Sequence, residues 1–348
     1  MKIDAFAHLL PLEYRSAVLE RVRRDGTLLA ETEAAMAGAR SAFEMWETLR
    51  GLTDIEKRIA DLDDLGIDMQ VVTPPVPPLE AFFHGDHSVE LAAIANETLS
   101  AAVREHSDRF LGVGMLSMHD PDVAARELRR CVEELGLVGV VLFAAPSSPA
   151  FDAPELDGVF AAANELEAPI WVHPWRSTVL PGIGPDRTSS HLSWYTFGWP
   201  YETSVALTAL VLGGVLEKYP KLNVIAHHGG GMIPFFVPRI EVLYADDWLP
   251  YTHYEPATDT RPLLEGFRRI YADTAGIGNV NTLMNVESFF GAGQIVFGSD
   301  APYDAQDGRW LIERSRDAVA AMDVTEEEAE QIWSGNLARL CKLQGAAA

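Results

Sequence analysis

Short apolar runs rich in valine and isoleucine recur along the chain and alternate with amphipathic stretches. Such runs are typical of strands buried on both faces, and their alternation with helical patterns is typical of βα units around a parallel sheet. Eight runs predict strands, at Lys2–His8, Met69–Thr73, Phe110–Leu116, Val138–Phe143, Pro169–His173, Leu222–His227, Ile270–Thr274 and Gln294–Ser299. Eight strands of this kind predict a closed (β/α)8 barrel.

The helical pattern is clearest in the segment DIEKRIADLDDLG, where Asp54 is a potential N-cap. Its apolar positions share one helix face, which is expected to pack on the barrel: Ile55, Ile59, Leu62 and Leu65. Similar faces occur in VAARELRRCVEELG, LDGVFAAANELEA and TSVALTALVLGGVLEKYP, the last stopped by Pro220. The chain shows no repeat and no linker. Residues 1–348 are therefore predicted to form a single domain, a size that α/β barrels commonly reach.

Two stretches interrupt the alternation, from Pro11 to about Leu52 and from Arg176 to Pro200. They follow the first and fifth predicted strands. Loops after the strands of an α/β barrel lie on the face that carries the active site, so these insertions are predicted to be lids. The proline-rich segment Pro74–Pro78 after the second strand is expected on the same face.

The chain is strongly acidic, with 27 Lys and Arg against 51 Asp and Glu and a formal net charge of −24. This charge repels nucleic acid and anionic membrane surfaces, so neither is an expected partner. An anionic small-molecule substrate would need local positive charge, from a metal ion or from arginine.

The two cysteines, Cys131 and Cys341, are far apart in the sequence. We expect free thiols and a reducing compartment. The N-terminal segment lacks the pattern of a signal peptide, and no window approaches the roughly 18 apolar residues of a membrane span. These features predict a cytoplasmic protein.

Residues suited to metal chemistry lie at the carboxyl ends of predicted strands. His8 ends the first strand, His173 the fifth, and His227 and His228 the sixth, while Asp300 follows the eighth. A single histidine after a strand is more often structural, but convergence at one barrel mouth favours a site for zinc or manganese. Asp300 could also shuttle a proton in such a site.

The chain resembles the amidohydrolase-2 family, which includes non-oxidative decarboxylases. The segments that carry the resemblance run nearly end to end: IDAFAHLLP, DIEKRIADLDDLGIDMQVVT, PIWVHPW, GWPYETSVALTALVLGGVLEKYPKLNVIAHHGGGMIPFF, YADTAG, IVFGSDAPYD and GNLARL. The resemblance implies that His8, His173 and Asp300 are metal ligands, with zinc expected first and manganese second. It also implies that His228 is the catalytic acid–base histidine.

The chain departs from the family pattern at Phe6, where the family usually has the first histidine of a His-x-His pair. Three protein ligands and a water remain sufficient for an open catalytic zinc site. Strand alternation predicts that His227 points to the other side of its strand, where it either supports the site residues from behind or has a structural role. Gly229–Gly231 are expected to let the backbone turn tightly beside the metal.

The resemblance also implies a homodimer. Arg239 matches a family position that reaches across the dimer interface and holds the substrate carboxylate; the competing interpretation is a solvated helix arginine. A second family arginine has no secure match, and Arg50 is merely the nearest. His84 and His87 are interpreted as surface-loop residues. The aromatic run at 191–201 is predicted either to line a pocket for a flat substrate or to pack as a lid.

Three functions are compatible with these residues. The first is metal-dependent C–C cleavage, as non-oxidative decarboxylation of an aromatic or unsaturated carboxylate. The second is metal-dependent hydrolysis, including C–C hydrolysis of a β-ketoacyl thioester, because some relatives with Phe-x-His at this position resemble such enzymes. The third is a binding protein without catalysis that lost its metal when Phe6 replaced the histidine.

Overall fold

The computed structural model describes residues 1–25, 45–81, 83, 85–145, 148–175, 192–245 and 261–343. Its eight strands form one parallel sheet in sequential order. They are β1 (Ile3–His8), β2 (Met69–Thr73), β3 (Phe110–Met115), β4 (Gly139–Ala144), β5 (Ile170–Pro174), β6 (Val224–Ala226), β7 (Tyr271–Asp273) and β8 (Ile295–Val296). The prediction of eight parallel strands is confirmed, although the last three are shorter than the apolar runs that predicted them.

The helices of eight or more residues lie between and after these strands. They are α1 (Leu12–Asp25), α2 (Ile55–Leu65), α3 (Gly85–Glu105), α4 (Pro121–Glu133), α5 (Asp157–Leu166), α6 (Trp199–Leu212), α7 (Val237–Ala245), α8 (Arg261–Arg268), α9 (Val280–Phe290) and α10 (Arg309–Ala320). Shorter helices cover Val215–Lys218, Glu326–Glu330 and Asn336–Leu340. None of the helices in the described part of the chain combines the length and apolar character needed to cross a bilayer.

Helix α2 begins as its sequence predicts. The Asp54 side chain accepts a hydrogen bond from the Lys57 backbone N–H at 3.0 Å and so caps the helix. Leu62 and Leu65 are buried on the predicted face. The segment before Pro220 is less regular than its pattern suggests, because Gly214 adopts φ 69° and separates α6 from the four-residue helix that follows.

The strands bury alternate side chains in two apolar clusters. Val72, Val140 and Val172 belong to the cluster that includes the inward faces of the helices. Their neighbours Val71 and Val141 belong to the second cluster, which also contains Trp171 and fills the barrel interior. This alternation places His173, two residues after Trp171, on the interior side of β5.

The barrel closes between β8 and β1. The strands share one isolated bridge, Ala7 to Ala301. Around it, the Ala5 N–H donates to the Phe297 carbonyl at 2.6 Å and the Asp300 N–H donates to the Phe6 carbonyl at 3.0 Å. The segments 3–8 and 295–301, called here the β1–β8 seam, bring two of the predicted site residues together.

Cys131 and Cys341 are free cysteines, as predicted. Residues 26–44 and 176–191, which belong to the two predicted lids, lie outside the described residues. The proline-rich segment does lie at the barrel mouth, because the carbonyl of Pro74 is 3.4 Å from Nδ1 of His8.

Candidate active site

His8, His173 and Asp300 come together at the carboxyl ends of their strands, although they are far apart in sequence. Each is buried, and one potential ligand atom from each lies within 4.8 Å of the others. His8 ends β1 and His173 lies in β5, while Asp300 follows the end of β8. The barrel mouth therefore collects two imidazoles and a carboxylate, which is a donor set suited to a divalent transition metal.

The hydrogen bonds of the two imidazoles fit a cation site. Nδ1 of His173 donates to the Pro174 carbonyl at 2.7 Å, so that Nε2 of the neutral ring presents its lone pair. This Nε2 is buried and has no hydrogen-bond partner in the described part of the chain. With Nδ1 of His8 donating to Pro74, its Nε2 likewise presents a lone pair, 3.3 Å from an oxygen of Asp300. A cation would satisfy these electron pairs.

The protonation states favour the same interpretation. Burial lowers the pKa of His8, and burial together with the neighbouring His227 lowers the pKa of His173 well below its ordinary value. Both rings are therefore neutral near pH 7, as metal ligands must be. Burial opposes ionisation of Asp300, while the hydrogen bond and charge of His228 favour it, and the pKa of this carboxyl lies well below its usual range.

Phe6 lies among the histidines and is fully buried. Its ring centroid is 4.8 Å from that of His8, 5.4 Å from that of His173 and 3.6 Å from that of His227. The ring thus fills the barrel interior beside the three-residue cluster and contributes no ligand atom. Phe6 therefore has a packing role at this position.

The predicted orientation of His227 is wrong. Its ring contacts Phe6 and its centroid lies 5.0 Å from that of His173, so the side chain points into the barrel. Its Nδ1 donates to a carboxylate oxygen of Asp273 at the end of β7. Ile225 faces the interior, so strand alternation places residue 227 on the interior side as well. The prediction instead assumed that His228 continued the strand and faced the site, whereas β6 ends at Ala226.

His228 reaches the mouth through a backbone turn. It adopts φ 56°, and its backbone N–H donates to Asp273 at 2.8 Å. Its Nε2 lies 3.5 Å from Asp300, and 15% of its side chain is exposed. Burial disfavours the charged ring, but the hydrogen bond and charge of Asp300, with the charge of Asp273, raise the pKa of His228 above its ordinary value.

The glycines after His228 are required by this turn. Gly229, Gly230 and Gly231 have φ of 65°, 75° and 67°. A Cβ on Gly230 would lie 2.7 Å from the ring of Phe290, and one on Gly231 would lie 2.7 Å from the Pro200 carbonyl. The predicted role of these glycines in a tight turn is confirmed.

Comparison with known proteins shows the family of this chain. A model of the amidohydrolase family matches residues 3–343. The chain belongs to the amidohydrolase family.

Curated relatives of this amidohydrolase include decarboxylases. The γ-resorcylate decarboxylase of Polaromonas sp. is 29% identical over 310 residues, which cover 86% of this chain and 91% of that protein. The 2-amino-3-carboxymuconate-6-semialdehyde decarboxylase of Dictyostelium discoideum is 33% identical over 259 residues, 69% of this chain and 66% of that protein.

Solved structures confirm the fold. The 5-carboxyvanillate decarboxylase of Sphingomonas paucimobilis superimposes with a TM-score of 0.81 at 22% identity, covering 98% of each chain. A dihydroxybenzoic acid decarboxylase from Polaromonas sp., solved with bound manganese and the inhibitor 2-nitroresorcinol, gives a TM-score of 0.77 at 26% identity, covering 98% of this chain and 97% of that one.

The remaining predicted residues lie further from the cluster. Arg239 is exposed on α7. His84 lies outside the described residues, and His87 is partly buried in α3. The aromatic run divides: Trp199 is buried with its ring 5.5 Å from that of His173, whereas Phe197 is 71% exposed. Part of this run therefore lines the site and part faces outward.

Sequence reasoning missed three features of the site in this amidohydrolase. Asp273 holds both the side chain of His227 and the backbone of His228, and its position at the end of a predicted strand could have revealed it. Tyr303 places its ring 4.9 Å from that of His8, and its hydroxyl is buried. Arg58 on α2 donates to the backbone carbonyl of His8, a contact that no sequence pattern predicts.

Proposed function

We propose that this chain is a metal-dependent decarboxylase that removes CO2 without oxidation from an aromatic or unsaturated carboxylate. The observation that carries the proposal is the convergence of His8, His173 and Asp300, with the Nε2 of His173 hydrogen-bonded to no other described group. The names of the curated relatives supply the reaction class.

His8, His173 and Asp300 would hold the ion. Zinc is the proposed native metal, since two imidazoles and a carboxylate with one open position are typical of catalytic zinc; manganese is the alternative, because relatives were solved with it. When bound, the ion acts as a Lewis acid that stabilises the electron pair left on the substrate as CO2 departs.

His228 is the proposed proton donor. The carbon–carboxylate bond breaks, its electron pair remains on the substrate carbon, and a proton must reach that carbon to complete the reaction. His228 is the partly exposed imidazole beside the cluster, and its raised pKa keeps a proton available. Asp300 lies 3.5 Å from the same ring, and its negative charge favours the protonated form of His228. Trp199, packed against His173, offers a flat apolar wall for an aromatic substrate.

A panel of hydroxybenzoates and carboxymuconates assayed for CO2 release tests the reaction. We expect release from at least one member, with the product carrying one solvent-derived hydrogen at the former carboxylate carbon. His228→Ala should abolish most of this release, while Ser100→Ala, which alters a buried hydrogen bond far along the chain from the site residues, should not. Absence of CO2 release with every member would contradict the proposal.

Phe6 favours a second candidate, metal-dependent hydrolysis of a carbonyl compound, including C–C hydrolysis of a β-ketoacyl thioester. Phenylalanine gives the barrel interior one imidazole fewer than the family pattern and so reduces the protein ligands to three. Reaction in 18O-labelled water separates the two reactions, because hydrolysis places the label in an acid product and decarboxylation does not. Protein that binds no divalent metal under any condition would instead favour a binding role without catalysis.

A homodimer is the proposed assembly, in which Arg239 of one subunit binds the substrate carboxylate in the other. Arg239 is exposed on α7, near the exposed apolar side chains of Phe235, Phe236 and Val242, which are 52%, 42% and 56% exposed. An exposed apolar surface of this kind is typical of an interface. The acidic chain also needs a local cation to hold an anion.

Mixed dimers test this assembly. Arg239→Ala and His228→Ala homodimers should each be nearly inactive. In a trans arrangement, a heterodimer of the two variants carries both lesions in one site and leaves the other intact, so re-association should restore part of the activity. No recovery in verified heterodimers would rule out the shared site.

A further inference from the structure

The two metal-site residues on the β1–β8 seam lack the regular strand pairing that holds the rest of the barrel. Strand β8 has only two residues, and the backbone contacts across the seam are one isolated bridge and three hydrogen bonds, including those of the His8 N–H to Ala301 and of the Asp300 N–H to Phe6. His8 and Asp300 nevertheless lie 3.3 Å apart across this seam. Asp300 also adopts φ 65°, a conformation that non-glycine residues rarely occupy without support from their surroundings. These backbone bonds are few, so side-chain hydrogen bonds beside them can add to the restraint on both residues.

We propose that a buried chain of four polar side chains, Arg58, Gln70, Asp4 and Ser299, positions His8 and Asp300 for metal binding. This inference rests on the proposed metal-dependent function. The four residues are called here the seam network. None of them contributes a ligand atom to the cluster, so they are positioning residues.

Asp4 is the centre of the seam network. Its carboxylate accepts from the Ser299 backbone N–H at 2.9 Å, the Ser299 hydroxyl at 2.5 Å, the Gln70 side chain at 2.7 Å and the Phe6 backbone N–H at 3.2 Å. One carboxylate thereby ties β1 and β2 to the residue immediately before Asp300. The bonds at Ser299 restrain the backbone where Asp300 takes its positive φ.

Arg58 completes the network from helix α2. Its guanidinium donates to the Gln70 side chain at 2.7 Å, to the His8 carbonyl at 2.5 Å, and to the carbonyl of Gly51. Only 5% of Arg58 is exposed. The planar fork of an arginine can reach such divergent acceptors together, which a lysine ammonium does less well. Arg58 therefore holds the backbone of His8, while Asp4 holds the backbone before Asp300.

The seam network contains one buried positive and one buried negative charge. Arg58 is the buried cation and Asp4 the buried anion, and neutral Gln70 links them by a hydrogen bond to each. The buried anion and the buried cation balance each other's charge through this link, and neither occupies the lone pairs at the metal cluster. A network that served folding alone would not need to contact the backbone beside both ligands.

Two serine variants separate positioning from general stability. Ser299→Ala removes the hydroxyl that donates to Asp4, and Ser100→Ala removes a buried hydroxyl that donates to the Leu135 carbonyl at 2.6 Å. Both variants lose one serine hydroxyl and no volume beyond it. The measurement is Mn2+ titration of the chelator-treated full chain by electron paramagnetic resonance, with the thermal midpoint of each metal-free variant recorded beside it.

We expect Ser299→Ala to bind Mn2+ about tenfold more weakly and to broaden the spectrum of the bound ion, since residues that orient metal ligands have effects of this size. Ser100→Ala should bind as the unchanged chain does, even where its thermal midpoint falls. Arg58→Lys should weaken binding as well, and by less than Arg58→Met, because lysine retains a donor for the His8 carbonyl.

Equal Mn2+ affinity and spectra for Ser299→Ala and Ser100→Ala would overturn the inference while leaving the proposed function in place. The same holds if Arg58→Met, folded by circular dichroism, binds Mn2+ as tightly as the unchanged chain. If the unchanged chain itself binds neither Mn2+ nor Zn2+, both the proposed function and this inference fail.

Discussion

The two sides of the barrel mouth hold their site residues by different means. His173 lies in β5, which pairs with β4 at five consecutive positions and with β6 at three. His8 and Asp300 lie on the seam, which is crossed by one isolated bridge and three backbone hydrogen bonds, and the seam network of side chains adds to these bonds. Strand pairing resists single substitutions, whereas a network of side-chain hydrogen bonds can be broken at one atom. The seam should therefore be the sensitive side of the site.

The largest effect is expected at the seam ligand itself. Asp300→Asn removes the only anionic donor of the cluster and retains its volume, so affinity for the divalent ion should fall by more than about a hundredfold, beyond the losses seen for residues that merely orient ligands. Metal content after equilibrium dialysis measures this. A full complement of metal in the Asp300→Asn protein would show that the carboxylate is not a ligand.

His228, on the strand-six side of the barrel mouth, allows a test of the chemistry in which the metal is retained. His228→Ala should retain metal and folding but lower turnover by about a hundredfold or more, which is the usual effect of losing an acid–base group. Turnover and metal content are measured on one preparation. Loss of the metal together with activity would make His228 a ligand instead, and would place a fourth donor on the strand-six side.

The buried carboxylate of the seam predicts a pH dependence of stability. Burial raises the pKa of Asp4 from 3.8 to about 6, against the hydrogen bonds from Ser299 and Gln70 that lower it. Between about pH 4 and pH 6 the folded state therefore binds the extra proton, and the free energy of unfolding attributable to Asp4 falls as the pH rises, by about 3 kcal/mol in all.

Urea unfolding of the metal-free protein at several pH values checks this, with Asp4→Asn as the control that lacks the titrating group. The unfolding free energy of the unchanged chain minus that of the variant should fall by about 3 kcal/mol from pH 4 to pH 6. A difference that stays constant over this window would show that the pKa of Asp4 is the same in the folded and unfolded chain, so that its hydrogen bonds compensate fully for burial.

The smallest expected difference, about 2 kcal/mol between two alanine variants, concerns the glycine turn on the strand-six side. Gly230→Ala forces a positive φ on alanine and also places a Cβ 2.7 Å from the Phe290 ring, so it should cost about 3 kcal/mol. Gly66→Ala has a similar φ of 67° and no atom within 4 Å, so it should cost only about 1 kcal/mol. Chemical denaturation measures both, and equal losses would mean that the turn tolerates the added carbon.

The same contrast explains what could be predicted from the sequence. Strands recur as apolar runs, and their order places His8, His173 and Asp300 at one mouth because parallel strands share an orientation. Side-chain hydrogen-bond networks produce no periodic pattern in the sequence. Arg58 lies on a helix and Gln70 on a strand twelve positions later, and their contact depends on how the two elements pack. The orientation predicted for His227 is wrong for a related reason, since alternation applies only within a strand and β6 ends one residue earlier.

The most direct test of the account is metal analysis coupled to activity on one preparation. Purified protein should contain close to one zinc or manganese per chain, held through His8, His173 and Asp300. Removal of the ion by a chelator should abolish CO2 release from a carboxylate substrate, and addition of Zn2+ or Mn2+ should restore it, whereas the Asp300→Asn protein should not recover. Full activity in protein freed of metal would contradict the account.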